Sequence, residues 1–183
     1  MAQNIIFIST QYIKDNTTIN GNVDEDILKP IIIQSQDKYI EPILGTDLYN
    51  KLKTDIGAGT ITGVYKTLLD EYVQKTLAHW SLYEALPFLN YKLTNKSVLT
   101  KDSENSTATG LEEIKYLRQG IRDTAEYFSQ RVTNYLIANQ SSFTEYNSNS
   151  DLDDIRPNST SYFSGLYLGG GSNDCNWGTD LPI

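Results

Sequence analysis

Apolar residues recur with helical spacing from the acidic run at 24–26 to a glycine at position 45. Acidic side chains suit the positive N-terminal end of a helix, and glycine is a common left-handed helix stop. The spacing slips between Ile32 and Tyr39, and Pro30 fits only near the first turns. We therefore expect a first helix that ends at Gly45.

A short second helix is expected directly after this glycine. Thr46 is a suitable N-cap residue, and Leu48, Leu52 and Ile56 follow at intervals of four. Gly45 would let the chain turn sharply, so that the two apolar faces meet a common third helix. The Gly45–Thr46 corner is therefore a candidate functional element.

Two longer amphipathic stretches follow, over about 62–92 and 111–139. Pro87 is expected to kink or interrupt the first of them. The polar segment 93–110 between them allows a small hairpin around Val98 and Leu99. Near the N-terminus, the β-branched residues of 4–13 predict a short strand or an extended arm.

The character of the chain changes at about residue 141. The last segment is rich in Ser, Asn, Asp and Gly, has no helical period and cannot bury enough apolar surface to fold alone. We interpret 141–183 as an extended arm that becomes ordered on a partner; a tail without a role, or one folded back on its own bundle, are the alternatives. Its candidate partner-binding residues are apolar or aromatic: Tyr162, Phe163, Leu166, Tyr167, Leu168 and Trp177.

Together these patterns predict an all-α fold. We expect an antiparallel bundle of four or five helices over residues 1–140, with a small polar loop or hairpin insertion, and the extended C-terminal arm over 141–183.

Composition narrows the possible partners. The net charge is −8, which argues against sequence-independent DNA binding because that affinity comes from Lys and Arg neutralising phosphates. No apolar window is long enough to span a bilayer, the start lacks a signal-peptide pattern, and the single cysteine excludes an intramolecular disulfide. The 13 tyrosines mildly favour interfaces. We expect assembly in a reducing cytoplasm.

Few residues suggest chemistry. His79 is the only histidine and lacks an evident catalytic partner, Cys175 has no basic neighbour, and "DLDD" at 151–154 has too few ligands for an EF-hand. "GGG" at 169–171 matches neither phosphate-binding fingerprint. The sequence therefore predicts no enzyme, no metal and no cofactor.

The stretch "DEDILKPIIIQSQDKYIEPILGTDLYNKLKTDI" resembles the N-terminal helical signature of head–tail connector (adaptor) proteins of tailed bacteriophages. It is most similar to those of crAss-like and other phages that infect Bacteroidetes. The shared elements are the acidic helix start, the glutamines at 34–36 and "YIEPILGTDLY" at 39–49, and the resemblance extends over about residues 5–140.

This resemblance implies a non-enzymatic virion protein at the head–tail interface. It implies a ring of about twelve identical subunits that docks on the portal protein, extends the DNA channel without binding DNA specifically, and provides a platform for further neck or tail proteins. Two other hypotheses remain: a small cytoplasmic helical adaptor that binds a protein partner through its C-terminal tail, and an enzyme with a site assembled from scattered acids.

Overall fold

A computed structural model of the chain describes residues 5–19, 22–93, 98–100, 111–148 and 155–157. Helices dominate it, which confirms the expected all-α bundle. The helices are α1 (Thr10–Asn16), α2 (Glu25–Ser35), α3 (Glu41–Leu44), α4 (Thr46–Ala58), α5 (Gly63–Thr67), α6 (Gln74–Asn90), α7 (Leu111–Ala138) and α8 (Thr144–Asn147). Two π-helical segments (Gln36–Ile40 and Leu68–Val73) and a 3-10 turn (Gln140–Ser142) complete the helical structure of the described residues.

The first helical stretch contains a π-helical segment where its apolar spacing slips. Asp24 caps α2, because its side chain accepts a hydrogen bond from the Asp26 amide at 3.1 Å. The wider π turn at Gln36–Ile40 then adds one residue per turn. As a result Gln36, Ile40 and Leu44 stay on the same buried side as Ile32.

The long helices pair in antiparallel fashion, as expected. Tyr72 stacks on Tyr135 near one end, and Glu84 approaches Arg118 near the other, so residue numbers rise along α6 as they fall along α7. The helix α6 packs chiefly on α7 and α2. It continues past Pro87 to Asn90, so of the kink or interruption expected at this proline, the interruption is wrong.

The expected hairpin is present between α6 and α7. Strand β1 (Tyr91–Leu93) pairs antiparallel with β2 (Val98–Thr100), with Lys92 opposite Leu99. It is a small appendage on an otherwise helical fold.

The N-terminal segment differs from the strand or arm expected over 4–13. Residues 5–9 are non-helical, but the Ser9 side chain accepts a hydrogen bond from the Tyr12 amide at 3.0 Å and starts α1 at Thr10. Phe7 and Ile8 are only 3% exposed, so this segment is part of the core.

The packed domain also extends beyond the boundary expected at residue 140. Phe143 and Tyr146, in a stretch assigned to the arm, are 0% and 5% exposed. Phe143 lies edge-on to Tyr65 at 5.4 Å and near Tyr135 at 6.0 Å, and Glu145 accepts a hydrogen bond from the Tyr65 hydroxyl at 2.7 Å. These contacts fold α8 back on the bundle. The six candidate residues of the arm between 162 and 177 lie outside the described residues.

Candidate functional site

The helix corner is built on the backbone of Gly45. Its φ of 78° and ψ of 156° fall in a region that side chains disfavour, and the Tyr49 amide donates to its carbonyl at 3.0 Å to begin α4. The φ is positive, as expected of a left-handed helix stop, but the ψ lies outside the left-handed helical region. The expected N-cap is wrong: Gly45 occupies that position and Thr46 is the first residue of α4, with no side-chain cap.

A distant segment supplies the missing cap. The Thr46 amide donates to the Ile155 carbonyl at 3.1 Å, and the Ile155 amide donates to the Thr46 hydroxyl oxygen at 2.9 Å. The first amides of a helix have no partner within it, so the Ile155 carbonyl satisfies a donor that a capping side chain would otherwise serve. The same Thr46 hydroxyl donates weakly to Glu41, at 3.4 Å.

The absence of a side chain on Gly45 makes room for Pro157. A Cβ atom on Gly45 would lie 2.8 Å from Cδ and Cγ of the proline ring and 3.2 Å from the Ile155 carbonyl oxygen. We call Gly45, Thr46 and Asp47 the corner seat, and Ile155, Arg156 and Pro157 the root segment. The structure thus brings the predicted corner together with residues 155–157 of the arm predicted over 141–183.

Asp47 binds the chain at Ser148, seven residues before the root segment begins. Its carboxylate accepts a hydrogen bond from the Ser148 hydroxyl at 2.6 Å. The same hydroxyl is 3.1 Å from the Glu145 carbonyl in α8. The corner seat therefore holds the C-terminal part of the chain at two points.

A family model described as a family of unknown function (DUF6712) matches residues 40–156, more than half of the chain. The chain belongs to the DUF6712 family. Its match begins inside the first π turn and ends within the root segment, so both Thr46 and Ile155 lie in the DUF6712 region. No curated protein and no solved structure matches the chain.

The inner side of the corner in this DUF6712 protein contains a buried glutamine. Gln36 accepts a hydrogen bond from the Phe7 amide at 2.8 Å and donates to the Ile5 carbonyl at 3.1 Å and the Tyr49 hydroxyl at 2.9 Å. Gln74 donates to the Phe7 carbonyl at 3.0 Å. Two side-chain amides thus satisfy both backbone polar groups of Phe7, in the way a neighbouring strand would.

Tyr49 extends this network towards the surface. Its hydroxyl donates to the Asp37 carboxylate at 2.5 Å, and its ring lies 5.3 Å from that of Phe7. Burial and the hydrogen bond to Asp37 raise the pKa of Tyr49 above its ordinary value of 10.0. The tyrosine therefore stays protonated and links the N-terminal segment to the corner.

A second polar cluster joins three elements around Glu84. Its carboxylate accepts hydrogen bonds from Lys38 Nζ at 2.6 Å and the Tyr39 hydroxyl at 2.5 Å, and Arg118 lies 3.5 Å away. Burial alone would raise the pKa of Glu84, but these partners outweigh it and hold the pKa below the ordinary value. Burial and the same contact raise the pKa of Tyr39 to about 12.

Aromatic rings pack beside the Glu84 cluster. The Tyr39 ring stacks on Trp80 at 3.8 Å, and Trp80 Nε1 donates to the Ser129 hydroxyl at 2.8 Å. The Arg118 guanidinium lies 4.1 Å from the centre of the Tyr83 ring. Lys38 and Arg118 both pair with Glu84 from other elements, although Arg118 Nε is buried without a hydrogen-bond partner. The cluster therefore cross-links the π turn, α6 and α7.

His79 is a packing residue in this arrangement. Its ring stacks on that of Phe128 at 4.9 Å, and burial lowers its pKa below 6.5. Within the described part of the chain, no group of three His, Cys, Asp or Glu residues could hold a metal ion, and no helix is long and apolar enough to cross a membrane. Cys175 and the acids at 151–154 lie outside the described residues.

The outer face of α7 exposes aromatic surface. Tyr116 is 81% exposed and Tyr127 is 61% exposed, and about three helical turns separate them, so they share one face. Gly120 lies between them with open space above it. This face is the clearest exposed aromatic strip on a described helix.

The root segment was missed in the sequence, although it carries a local signal. Pro157 restricts Arg156, the residue before it, to extended backbone, which marks an extended stretch next to Ile155. Gln36 gave a weaker signal, because a lone polar residue on an apolar face does not reveal which backbone it will contact.

Proposed function

We propose that this DUF6712 protein is a structural component of the head–tail connector of a tailed bacteriophage. It forms a homo-oligomeric ring that docks on the portal protein, extends the DNA channel and provides a platform for further neck or tail proteins. The mature protein resides in the virion, after assembly in the host cytoplasm.

The observation that carries this proposal is the helix–glycine–helix corner. The stretch with the strongest resemblance to connector proteins, 39–49, forms the end of the first helical stretch, the positive-φ glycine and the start of α4. The long antiparallel pair and the small hairpin fit the same layout. The helical fold therefore agrees with the sequence motif that resembles connector proteins. The ring itself is proposed.

Exposed aromatic surface supports a role through contact. Tyr116 and Tyr127 present large amphipathic rings on one face of α7, and such side chains are enriched where protein surfaces meet. A ring needs a heterologous contact that closes by rotation, which a rigid bundle with distinct faces can provide. The net charge of −8 disfavours sequence-independent DNA binding, which suits a channel that DNA passes through.

The arm supports the second half of the proposal. Residues 155–157 of the arm are held at the corner seat, and its six candidate residues between 162 and 177 offer aromatic or apolar anchors for the portal or a neck protein. The same observation also favours the alternative function, a small cytoplasmic adaptor whose C-terminal tail binds one protein partner.

Particle size separates the two functions. The purified full chain, alone and with the portal protein from the same genome, is measured by native mass spectrometry and negative-stain microscopy. A connector gives rings, or extra ring density on the portal. A chain that stays monomeric and ignores the portal contradicts the connector function and favours the adaptor. The sample with portal decides, because free subunits of a connector can stay monomeric until they dock.

A double substitution tests the proposed contact surface. Tyr116→Ser with Tyr127→Ser should leave the thermal unfolding of the monomer unchanged but reduce ring formation, because both side chains are exposed. Lys115→Ser with Glu112→Ser, on the same helix and also exposed, is the matched control and should assemble normally.

A further inference from the structure

The exposed aromatic strip on α7 is arranged symmetrically about the middle of the helix. Tyr116 is 81% exposed and Tyr127 is 61% exposed, and the exposed charges Glu113 and Arg131 lie outside them on either side. At 3.6 residues per turn, the tyrosines are about three turns apart and the two charges about five, so each pair lies along one line of the helix. Both pairs are centred close to Arg122.

This arrangement makes the strip complementary to itself. If a second α7 lies antiparallel on the first, with a two-fold axis at Arg122, the Tyr116 ring of each copy meets the Tyr127 ring of the other. Glu113 of each copy then faces Arg131 of the other, so an opposite-charge pair forms at each end. A two-fold contact uses the same surface on both copies in this reciprocal way, and facing opposite charges fix its register.

The centre of the strip leaves room for a second helix. Gly120 presents no side chain near the axis, and open space lies above it. The polar side chains beside it are bonded within α7: Gln119 donates to Asp123 at 2.7 Å. Gln130 likewise donates to Asn134 at 2.8 Å. A second helix can therefore pack on the strip without breaking these hydrogen bonds.

The exposed tyrosine surface has the size expected of a weak dimer. A fully buried aromatic side chain removes about 150–250 Å² from water, so four tyrosine rings with these exposures would bury roughly 400–700 Å². With the polar flanks counted as well, the contact approaches the low end of specific interfaces, about 1,200 Å² in total. We therefore expect a reversible dimer with a Kd on the order of 1–100 μM.

We propose that the free chain pairs with a second copy of itself through this strip, with the two α7 helices antiparallel about an axis at Arg122. The pairing goes beyond the proposed ring and does not depend on it. Only one consequence rests on the ring: the pair covers Tyr116 and Tyr127, so two subunits must separate before these side chains make ring contacts.

Charge reversal tests the pairing in the full chain without portal. Analytical ultracentrifugation measures the Kd of the parent dimer and of each variant. Glu113→Lys and Arg131→Glu each create two like-charge pairs in the dimer, so each alone should raise the Kd at least about tenfold. An equal mixture of the two variants should regain the parent Kd, because a mixed dimer has one native ion pair and one with both charges reversed.

Controls separate the pairing from general effects of charge and folding. Glu25→Lys and Lys29→Glu, at an exposed pair on α2, change the charge by the same amounts and should leave the Kd unchanged, singly and mixed. Thermal unfolding of every variant is measured, because the Arg131 guanidinium also lies 5.6 Å from the centre of the Tyr72 ring.

Asp123→Asn tests the position of the axis even if Arg131→Glu does not fold. Asp123 is exposed and lies one residue from the centre of the strip, so its two copies would lie close to each other across the axis. Removing this like-charge contact should lower the Kd about two- to fivefold. An unchanged or higher Kd would overturn the antiparallel register.

The outcomes for the pairing and for the connector function are distinct. A dimer that the single reversals weaken and their mixture restores supports the pairing, whatever the portal does. A parent chain that stays monomeric at about 200 μM, or a mixture as weak as the single variants, overturns the pairing and leaves the connector function standing. A dimer that neither binds portal nor forms rings with it overturns the connector function and leaves the pairing standing.

Discussion

The Thr46 amide donates to the Ile155 carbonyl at 3.1 Å, and the Ile155 amide returns a hydrogen bond to the Thr46 side chain at 2.9 Å, across 109 residues of chain. This reciprocal pair caps α4 with backbone instead of a side chain. It works only because the N-cap residue is a glycine, which leaves room for the incoming segment. This one contact therefore sets where α4 begins, how the chain turns at Gly45 and where residues 155–157 of the arm lie.

Replacing Gly45 with alanine should destabilise the protein through two separate effects. The backbone region that Gly45 occupies costs a side-chain residue about 1–3 kcal/mol. The new Cβ atom would also lie 2.8 Å from the Pro157 ring, so the root segment must leave or shift. Urea denaturation followed by circular dichroism measures the loss in the free energy of unfolding.

A double-mutant cycle with Pro157→Ala separates these effects. If the ring contact matters, Gly45→Ala should cost less in the Pro157→Ala background, with a coupling of about 0.5–3 kcal/mol. Gly59→Ala is the control, since its φ is 67° but open space surrounds it, and it should show no coupling to position 157. Equal costs in both backgrounds would show that Pro157 does not bind above Gly45.

Gln36→Leu should destabilise the bundle strongly, although the two side chains are similar in size. It removes the partners of the buried Phe7 amide and of the Ile5 carbonyl, and each unsatisfied buried group costs about 1–3 kcal/mol. We expect a loss of about 2–4 kcal/mol in the free energy of unfolding by urea denaturation, and faster hydrogen exchange at the Phe7 amide.

Gln34→Leu is the matched control for this substitution. Gln34 is exposed two residues away at the end of α2, so its replacement should change the free energy of unfolding by no more than about 0.5 kcal/mol. If Gln36→Leu were equally harmless, the glutamine network would not hold the N-terminal segment.

Glu84→Gln should lower the free energy of unfolding at neutral pH and reduce its dependence on pH in the acid range. The lowered pKa of Glu84 means that its contribution is complete above the ordinary value of 4.5 and is lost as the pH falls through the lowered value. A glutamine still accepts a hydrogen bond from Tyr39 but loses the charge interactions, which predicts a loss of about 1–2 kcal/mol at pH 7.

The difference between Glu84→Gln and the parent protein should then narrow as the pH falls below 4.5. Denaturant unfolding at several pH values measures it. Glu112→Gln, in an exposed pair with Lys115, should change the free energy of unfolding by no more than about 0.5 kcal/mol at any pH. A constant difference for Glu84→Gln at all pH values would refute the assignment of the charge cluster.

Local sequence signals predicted most of the fold. Periodicity located the four main helices, and the lone glycine between two amphipathic stretches located the corner. The π turn at Gln36–Ile40 was visible only as a slip in spacing, because sequence does not show where an extra residue is accommodated. Phe143 and Tyr146 are isolated aromatics in a polar stretch, and no period marks a residue that packs on a distant helix.

The candidate site was harder to predict from the sequence for the same reason. Thr46 has the residue type and position of an N-cap, and its side chain does bind backbone, but the backbone belongs to Ile155. Local propensity describes what a residue favours next to its neighbours. It cannot identify a partner that folding brings from the other end of the chain.

His79 offers a direct test of α6–α7 packing, because it is the only histidine in the chain. Burial against Phe128 penalises the imidazolium, so the pKa lies below 6.5 and the unfolded state binds the proton more readily. The free energy of unfolding should therefore decrease as the pH falls below 6.5, and His79→Phe should remove this part of the pH dependence. Proton NMR of the single imidazole gives the pKa directly, and denaturant unfolding at several pH values gives the free energies. A titration midpoint of the His79 imidazole at or above 6.5 would contradict its burial against Phe128. So would a free energy of unfolding whose pH dependence is unchanged in His79→Phe.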